Sequence, residues 1–380
     1  MKYQLVLAVI IIGLGGSPVA ETPAAAAHAE GIAPIRPAHA GILLASSLYG
    51  YGRCLVNGNG QLELISSAAH AGFTFRGKEC AVYASVADAS GHNFLQYELD
   101  GIYQKKVRIS GNNPTPLLIT AATAGVHTVW IYKNTEAMSG AVFIDKITGD
   151  DPKPIKKPNE PLIEFIGNSI TCGAQADTSV SPCNIGPYED HHDAYYAYGP
   201  RVARALDAEF ILSSVSGIGV YRTWNTDGPA MPQVYEKADF RDSGTRMWNF
   251  TKAQPAIVSI ALGTNDLSNG DGKHQRSPFD SAKFVDSYIK FVQLIKSKYP
   301  SAQLALLSSP MVHGDKGILL QNCLTAISAK INTMYPSDKP VALFFFPPMK
   351  ARGCGGHPNE EDHAILAGEL IPFFKGLLPV

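Results

Sequence analysis

The sequence predicts two domains: an all-β jelly-roll or β-sandwich, then an α/β domain with a five-stranded parallel sheet and helices on both faces. Three observations predict it. Short apolar or alternating runs crowd the first half between turn signals, a proline-punctuated connector follows, and beyond it strand-like runs alternate with helix-like ones. The 380 residues are 45% hydrophobic and 17% charged, enough apolar material for a sizeable core. With 32 Lys+Arg against 33 Asp+Glu, the formal charge of -1 offers no basic surplus for a nucleic acid or an anionic membrane.

The chain opens on Lys2, an apolar run from Leu5 to Leu14, and the small residues Gly15 to Ala20. That order of charge, apolar stretch and small residues reads as a signal peptide over 1–20, since the run is well short of the roughly 20 residues that span a bilayer. Residues 21–40, with Pro23, Ala24 to Ala27, Pro34 and Pro37, read as a poorly ordered lead-in. The expectation is a secreted or periplasmic protein, off the membrane after cleavage and acting as a monomer. Cys54, Cys80, Cys172, Cys183, Cys323 and Cys354 suit an oxidising compartment. Position along the chain suggests the pairs Cys54–Cys80, Cys172–Cys183 and Cys323–Cys354. None has CxxC spacing, so no zinc site is expected, nor any other metal or cofactor.

In the β half (41–150), Gly72–Phe75, Ala81–Val86, Leu95–Leu99 and His127–Tyr132 alternate or run apolar. Turns fall at Asn57-Gly58-Asn59-Gly60, Ser90-Gly91, Asp100-Gly101 and Ser110-Gly111-Asn112-Asn113-Pro114. Residues 151–160, rich in proline, read as a stiff linker. In 161–380, strands are expected at Leu162–Ile166, Glu209–Val215, Ala256–Leu262, Gln303–Ser308 and Val341–Phe346. Helices are expected at Tyr195–Leu206, Ser281–Tyr299, Gly317–Met334 and Glu360–Phe374. Parallel strands joined this way place functional groups at their carboxyl ends.

Four motifs occupy those ends. Gly167-Asn168-Ser169 follows the first strand, and is either ordinary turn chemistry or an exposed serine nucleophile; it is not a G-x-S-x-G elbow. Ser216-Gly217-Ile218-Gly219 is a plain turn or a place where backbone N–H groups approach a ligand. Gly263-Thr264-Asn265-Asp266 is a helix-capping turn or a side-chain amide for a developing oxyanion. Gly355-Gly356-His357-Pro358 puts a histidine where a base for Ser169 would be needed.

Taken together, the four blocks resemble the SGNH/GDSL hydrolase superfamily over residues 161–378. A β-sandwich before such a domain, with GNSITCG and GCGGHPN, is similar to carbohydrate esterase family 2. The resemblance implies a flavodoxin-like sheet and removal of acetyl groups from plant polysaccharides (xylan, glucomannan) or their oligosaccharides. It also implies Ser169 as nucleophile, His357 as general acid/base, and an oxyanion hole of the Ser169 and Gly217 N–H groups with the Asn265 amide. Many such enzymes carry an aspartate just before the histidine. Here Cys354 and Gly355 stand there, so a Ser–His dyad with the imidazole held by a backbone carbonyl is expected, Glu361 and Asp362 serving the following helix instead.

Trp224 and Trp248 are candidates for stacking on a sugar ring, or for the core. His191-His192-Asp193 reads as a solvated loop, and Asn249-Phe250-Thr251 is a glycosylation sequon. Two other functions are carried alongside: an esterase for lipids or small acyl esters, and a non-catalytic carbohydrate-binding protein.

Overall fold

The computed structural model describes residues 40–378. The signal-peptide reading of 1–20 lies outside them. The β domain is one nine-stranded antiparallel sheet: β1 Ala40–Leu44, β2 Gly50–Tyr51, β3 Cys54–Val56, β4 Leu62–Leu64, β5 His70–Ser85, β6 His92–Leu99, β7 Ile102–Ser110, β8 Thr115–Lys133 and β9 Val142–Ile155. Its spatial order is β3-β4-β9-β5-β8-β6-β7, with β1 on β9 and β2 on β5.

Several separately expected short strands are halves of long ones. Gly72–Phe75 and Ala81–Val86 join in β5, whose register with β8 shifts between Gly77 and Glu79. The glycine there, at φ +92°, permits a bend rather than a turn. The bent strands carry both layers of the sandwich, and Phe73, Val129 and Leu95 meet Val82, Ile119 and Ile144 in a single core. The expected linker also begins as strand. Lys153, Pro154 and Ile155 pair with Thr74, Phe73 and Gly72, which shortens the connector to the residues after Ile155.

The second domain contains β10 Leu162–Gly167, α1 Ser169–Cys172, α2 Tyr198–Ala205, β11 Glu209–Ser214, α3 Met231–Val234 and β12 Ile257–Ala261. It continues with α4 Ser281–Lys298, β13 Gln303–Leu307, α5 Gly314–Met334, β14 Ala342–Phe344 and α6 Glu360–Leu377. The five strands are parallel, in the order β11-β10-β12-β13-β14. Alternation along each strand divides the core. Ile166, Val258, Ile260, Leu304 and Leu306 face α4 and α5. Ile163, Phe165, Ile257, Ala305 and Leu307 face α2 and α6. The order reverses at β10, so the crevice beyond its carboxyl end is where such sheets bind ligands. Gly167 is level with Ser214 and Ala261, which brings three loops to the same height.

The domains share a buried anchor. Arg53, between β2 and β3, is fully buried and its guanidinium lies 3.8 Å from Glu164 on β10. It donates to the Tyr235 and Lys237 carbonyls at 2.9 and 2.8 Å and lies 4.0 Å above the Phe240 ring. No helix among the described residues is long and apolar enough to cross a membrane.

Candidate active site

Ser169 opens α1 immediately after the first strand of the parallel sheet. Asn168 caps that turn, its Oδ1 accepting from the Ile170 N–H at 3.1 Å. Gly167 is required beneath it, because a Cβ there would lie 2.0 Å from Thr171 Oγ1. Ser169 itself is 8% exposed. His357 Nε2 lies 2.9 Å from Ser169 Oγ, and its Nδ1 lies 3.2 Å from the Cys354 carbonyl oxygen. In that arrangement Nδ1 carries the proton and donates to the carbonyl, leaving Nε2 to accept from the serine.

No carboxylate among the described residues hydrogen-bonds His357. Glu361 and Asp362 bind Arg352 instead, each at 2.7 Å, and Asp362 forms a capping box with Asn359 at the start of α6. Burial pushes the His357 pKa below its ordinary value, against the Cys354 carbonyl that favours the cation. A base must be neutral to take the serine proton. The acid limb of the pH–rate profile is therefore expected below the usual histidine value of about 6.5, with activity level above it; kcat/KM on an aryl acetate reads this, and a midpoint above 6.5 would contradict it.

Gly217, Asn265, Trp224 and His357 line one cleft of about 760 Å³. Gly217 adopts φ +76°, and a Cβ there would come 2.6 Å from Trp224, so only glycine fits. Asn265 Nδ2 donates to the Ile218 carbonyl at 2.8 Å, and a primary amide has a second N–H to offer. Asp266 fixes the same loop from below, accepting from the Val220 and Tyr221 N–H groups at 3.0 Å. Burial pushes its pKa up to about 6, against those backbone donors. Trp224 stands 44% exposed at the cleft.

The other tryptophan is elsewhere. Trp248 is 7% exposed and packs in the core near Arg53, with 5.3 Å between guanidinium and ring, so it cannot stack on a sugar at this cleft. An aromatic in a loop reads alike in sequence whether it points inward or outward.

The cysteine pairing also differs from expectation. Cys183 bonds to Cys354, with 5.2 Å between Cα atoms, while Cys54, Cys80, Cys172 and Cys323 are free and buried. The pairs Cys54–Cys80, Cys172–Cys183 and Cys323–Cys354 therefore do not form. Neighbours in sequence are separated by the fold: Cys172 ends α1, its thiol 3.2 Å from Ser214 Oγ, while the loop after it crosses to the histidine loop. The bond fixes the residue whose carbonyl holds His357. Burial keeps the Cys54, Cys80, Cys172 and Cys323 thiols protonated, their pKa values all raised.

His191, His192 and Asp193 are buried rather than solvated. His192 Nε2 lies 3.5 Å from Glu136 Oε1, and Asp193 accepts from Gln96 at 2.7 Å. Glu136 comes from the β domain and reaches the cleft, where its Oε2 accepts from the Ser216 N–H at 2.6 Å. Tyr188, also on the cleft, donates to Ser216 Oγ at 3.3 Å. Sequence reasoning placed His192 in a solvated loop and missed Glu136 and Tyr188, because nothing local ties any of the three to the strand-end motifs. Asp177, Asp193 and Glu360 gather carboxylate oxygens within 4.8 Å, but Lys106 Nζ lies 3.1 Å from Asp177, which accounts for part of that charge.

Residues 51–158 match the family described as Carbohydrate esterase 2 N-terminal, and 165–340 match the GDSL-like Lipase/Acylhydrolase family. The chain is 29% identical to the Cellulase/esterase CelE of Acetivibrio thermocellus over 82% of its own length, but spans only 37% of that relative. It is 26% identical to an Acetylxylan esterase / glucomannan deacetylase of Cellvibrio japonicus, over 87% of this chain and 94% of that one. A family two carbohydrate esterase from Clostridium thermocellum, solved with cellohexaose, superposes with a TM-score of 0.74 at 26% identity, covering 89% of this chain and all of that one. The chain thus joins a segment matching the carbohydrate esterase 2 N-terminal family to a GDSL-like hydrolase domain, resembles family 2 carbohydrate esterases over most of its length, and is a carboxylic ester hydrolase.

Proposed function

We propose that the chain is an exported O-acetyl esterase that removes acetyl groups from plant polysaccharides, xylan or glucomannan, or from their oligosaccharides. The observation that carries this reading is the 2.9 Å contact of His357 Nε2 with Ser169 Oγ, made while the Cys354 carbonyl holds the other ring nitrogen. Ser169 attacks the acetyl carbonyl as His357 takes its proton. The negative oxygen is met by the N–H groups of Ser169 and Gly217 and by the Asn265 amide. Collapse breaks the ester bond, His357 protonates the departing sugar oxygen, and acetyl-Ser169 remains. Water activated by His357 then releases acetate.

Tyr188 and Trp224 at the cleft offer aromatic faces to a sugar ring, and Ser268, His313 and Lys316 offer polar contacts. The relatives named for acetylxylan and glucomannan point to the same substrates. Export is supported by the Lys2, Leu5–Leu14 pattern and by the Cys183–Cys354 bond, which suits an oxidising compartment.

A series of 4-nitrophenyl esters tests the acyl preference. The expected kcat/KM falls at least about tenfold from acetate to butyrate, a size effect of a kind that one or two methylenes produce in a closed pocket. Equal or rising rates with octanoate would instead assign the cleft to long acyl chains.

A further inference from the structure

We propose that Glu136 is a positioning residue of this site: a carboxylate carried in by the β domain that holds the Ser216–Gly217 loop and, facing His192, offsets part of what His192 sets against a charged His357. The inference rests on the serine-esterase reading above.

Glu136 reaches the cleft for identifiable reasons. It follows the end of β8, where Lys133 Nζ is wholly buried and donates to the Thr135 carbonyl, Thr135 Oγ1 and the Glu136 carbonyl at 2.8, 2.9 and 2.6 Å. Thr135 Oγ1 in turn donates to Asn93 Oδ1 at 2.6 Å. The backbone that launches Glu136 is thus clamped by three acceptors on one ammonium. The side chain is 5% exposed, and its two oxygens have different partners. Oε2 takes the Ser216 N–H at 2.6 Å, one residue before the Gly217 N–H offered to the oxyanion, while Oε1 faces His192 at 3.5 Å.

Burial alone would push the Glu136 carboxyl up, but His192 and the Ser216 N–H outweigh it and keep the group ionised. The charged and titratable groups facing Glu136 and His357 are His192 from the loop before α2, Lys133 from β8, Cys172 from α1, Tyr188 and, toward His357, His363 from α6. Among those acting on His357, His192 opposes its cation and Glu136, the weaker of the two, favours it. As His357 becomes imidazolium in the transition state, an ionised Glu136 offsets part of the opposition that His192 sets against that charge.

Two variants separate contact from charge. Glu136→Gln keeps an oxygen for the Ser216 N–H but loses the charge. Glu136→Asp keeps the charge but is one methylene short of Ser216. Glu136→Asp is expected to lower kcat on 4-nitrophenyl acetate about tenfold with little change in KM, since misplacing an oxyanion donor acts on the transition state. Its acid limb stays in place. Glu136→Gln is expected to move the acid limb to lower pH, and the His357 ring titration, followed by NMR in a Ser169→Ala background, should move the same way. A folded Glu136→Asp at wild-type kcat, or a Glu136→Gln whose His357 titration matches the parent, overturns the proposal. Should Glu136→Gln not fold, Glu136→Asp decides alone. Ester hydrolysis that survives Ser169→Ala would overturn the underlying serine reading instead, while the NMR titration still tests Glu136 without any substrate.

Discussion

Ser169→Ala is expected to lower kcat on 4-nitrophenyl acetate by roughly 10,000-fold or more, the scale on which serine esterases and proteases lose rate when the nucleophile is removed. The substitution removes the oxygen that lies 2.9 Å from His357 Nε2, and among the described residues no other nucleophile is hydrogen-bonded to that nitrogen. His357→Ala should cost about as much, and the double variant hardly more, because the two residues act as a unit. Binding is a separate matter. The Ser169→Ala protein retains the cleft walls formed by Tyr188, Trp224 and Gly217, so it should still bind an acetylated oligosaccharide by calorimetry. If the two single losses instead multiplied in the double variant, Ser169 and His357 would be acting in separate steps.

Arg53→Met is expected to destabilise the protein by about 3–5 kcal/mol, the cost of leaving a buried partner charge uncompensated. Glu164 is fully buried, and burial raises its pKa even with Arg53 beside it. Without the guanidinium, Glu164 must either stay charged with only the Ser213 and Tyr235 hydroxyls to meet it, or take up a proton. The Tyr235 and Lys237 carbonyls lose their donor at the same time. Adding Glu164→Gln should recover a large part of the loss, since a neutral amide carries no unpaired charge into the core. Urea denaturation of the three variants measures this. An Arg53→Met protein within about 1 kcal/mol of wild type would mean that the pair does little for the domain junction.

Much of the second domain was legible because the periods of its apolar residues are distinct. The run Gln303–Leu307 sends Leu304 and Leu306 to one face and Ala305 and Leu307 to the other, and Ser281–Lys298 buries Phe284, Tyr288, Phe291 and Ile295 along a single stripe. Chemistry at the ends of parallel strands was legible for the same reason, since topology brings Gly217, Asn265 and His357 to one cleft with Ser169 in contact with the histidine.

What stayed hidden depends on distant segments meeting. Glu136 is a strand-end acid of the other domain, and only the docking of that domain brings it to Ser216. Cys183 and Cys354 are 171 residues apart, and their pairing follows from two loops crossing above the sheet. Gly77 looks like a turn residue and serves as a bend within β5, which is why two expected strands were one. Trp248 and the pair His191-His192 read as loop residues, yet all three are buried under neighbours that come from elsewhere in the chain.

The most direct test of the serine acetyl-esterase account is acetate release from acetylated xylan and acetylated glucomannan by the wild-type protein and by Ser169→Ala, assayed in parallel. The wild type is expected to release acetate from at least one of the two, and the variant none above the spontaneous rate. Undiminished release by Ser169→Ala, or none by the wild type from either polymer, would contradict it.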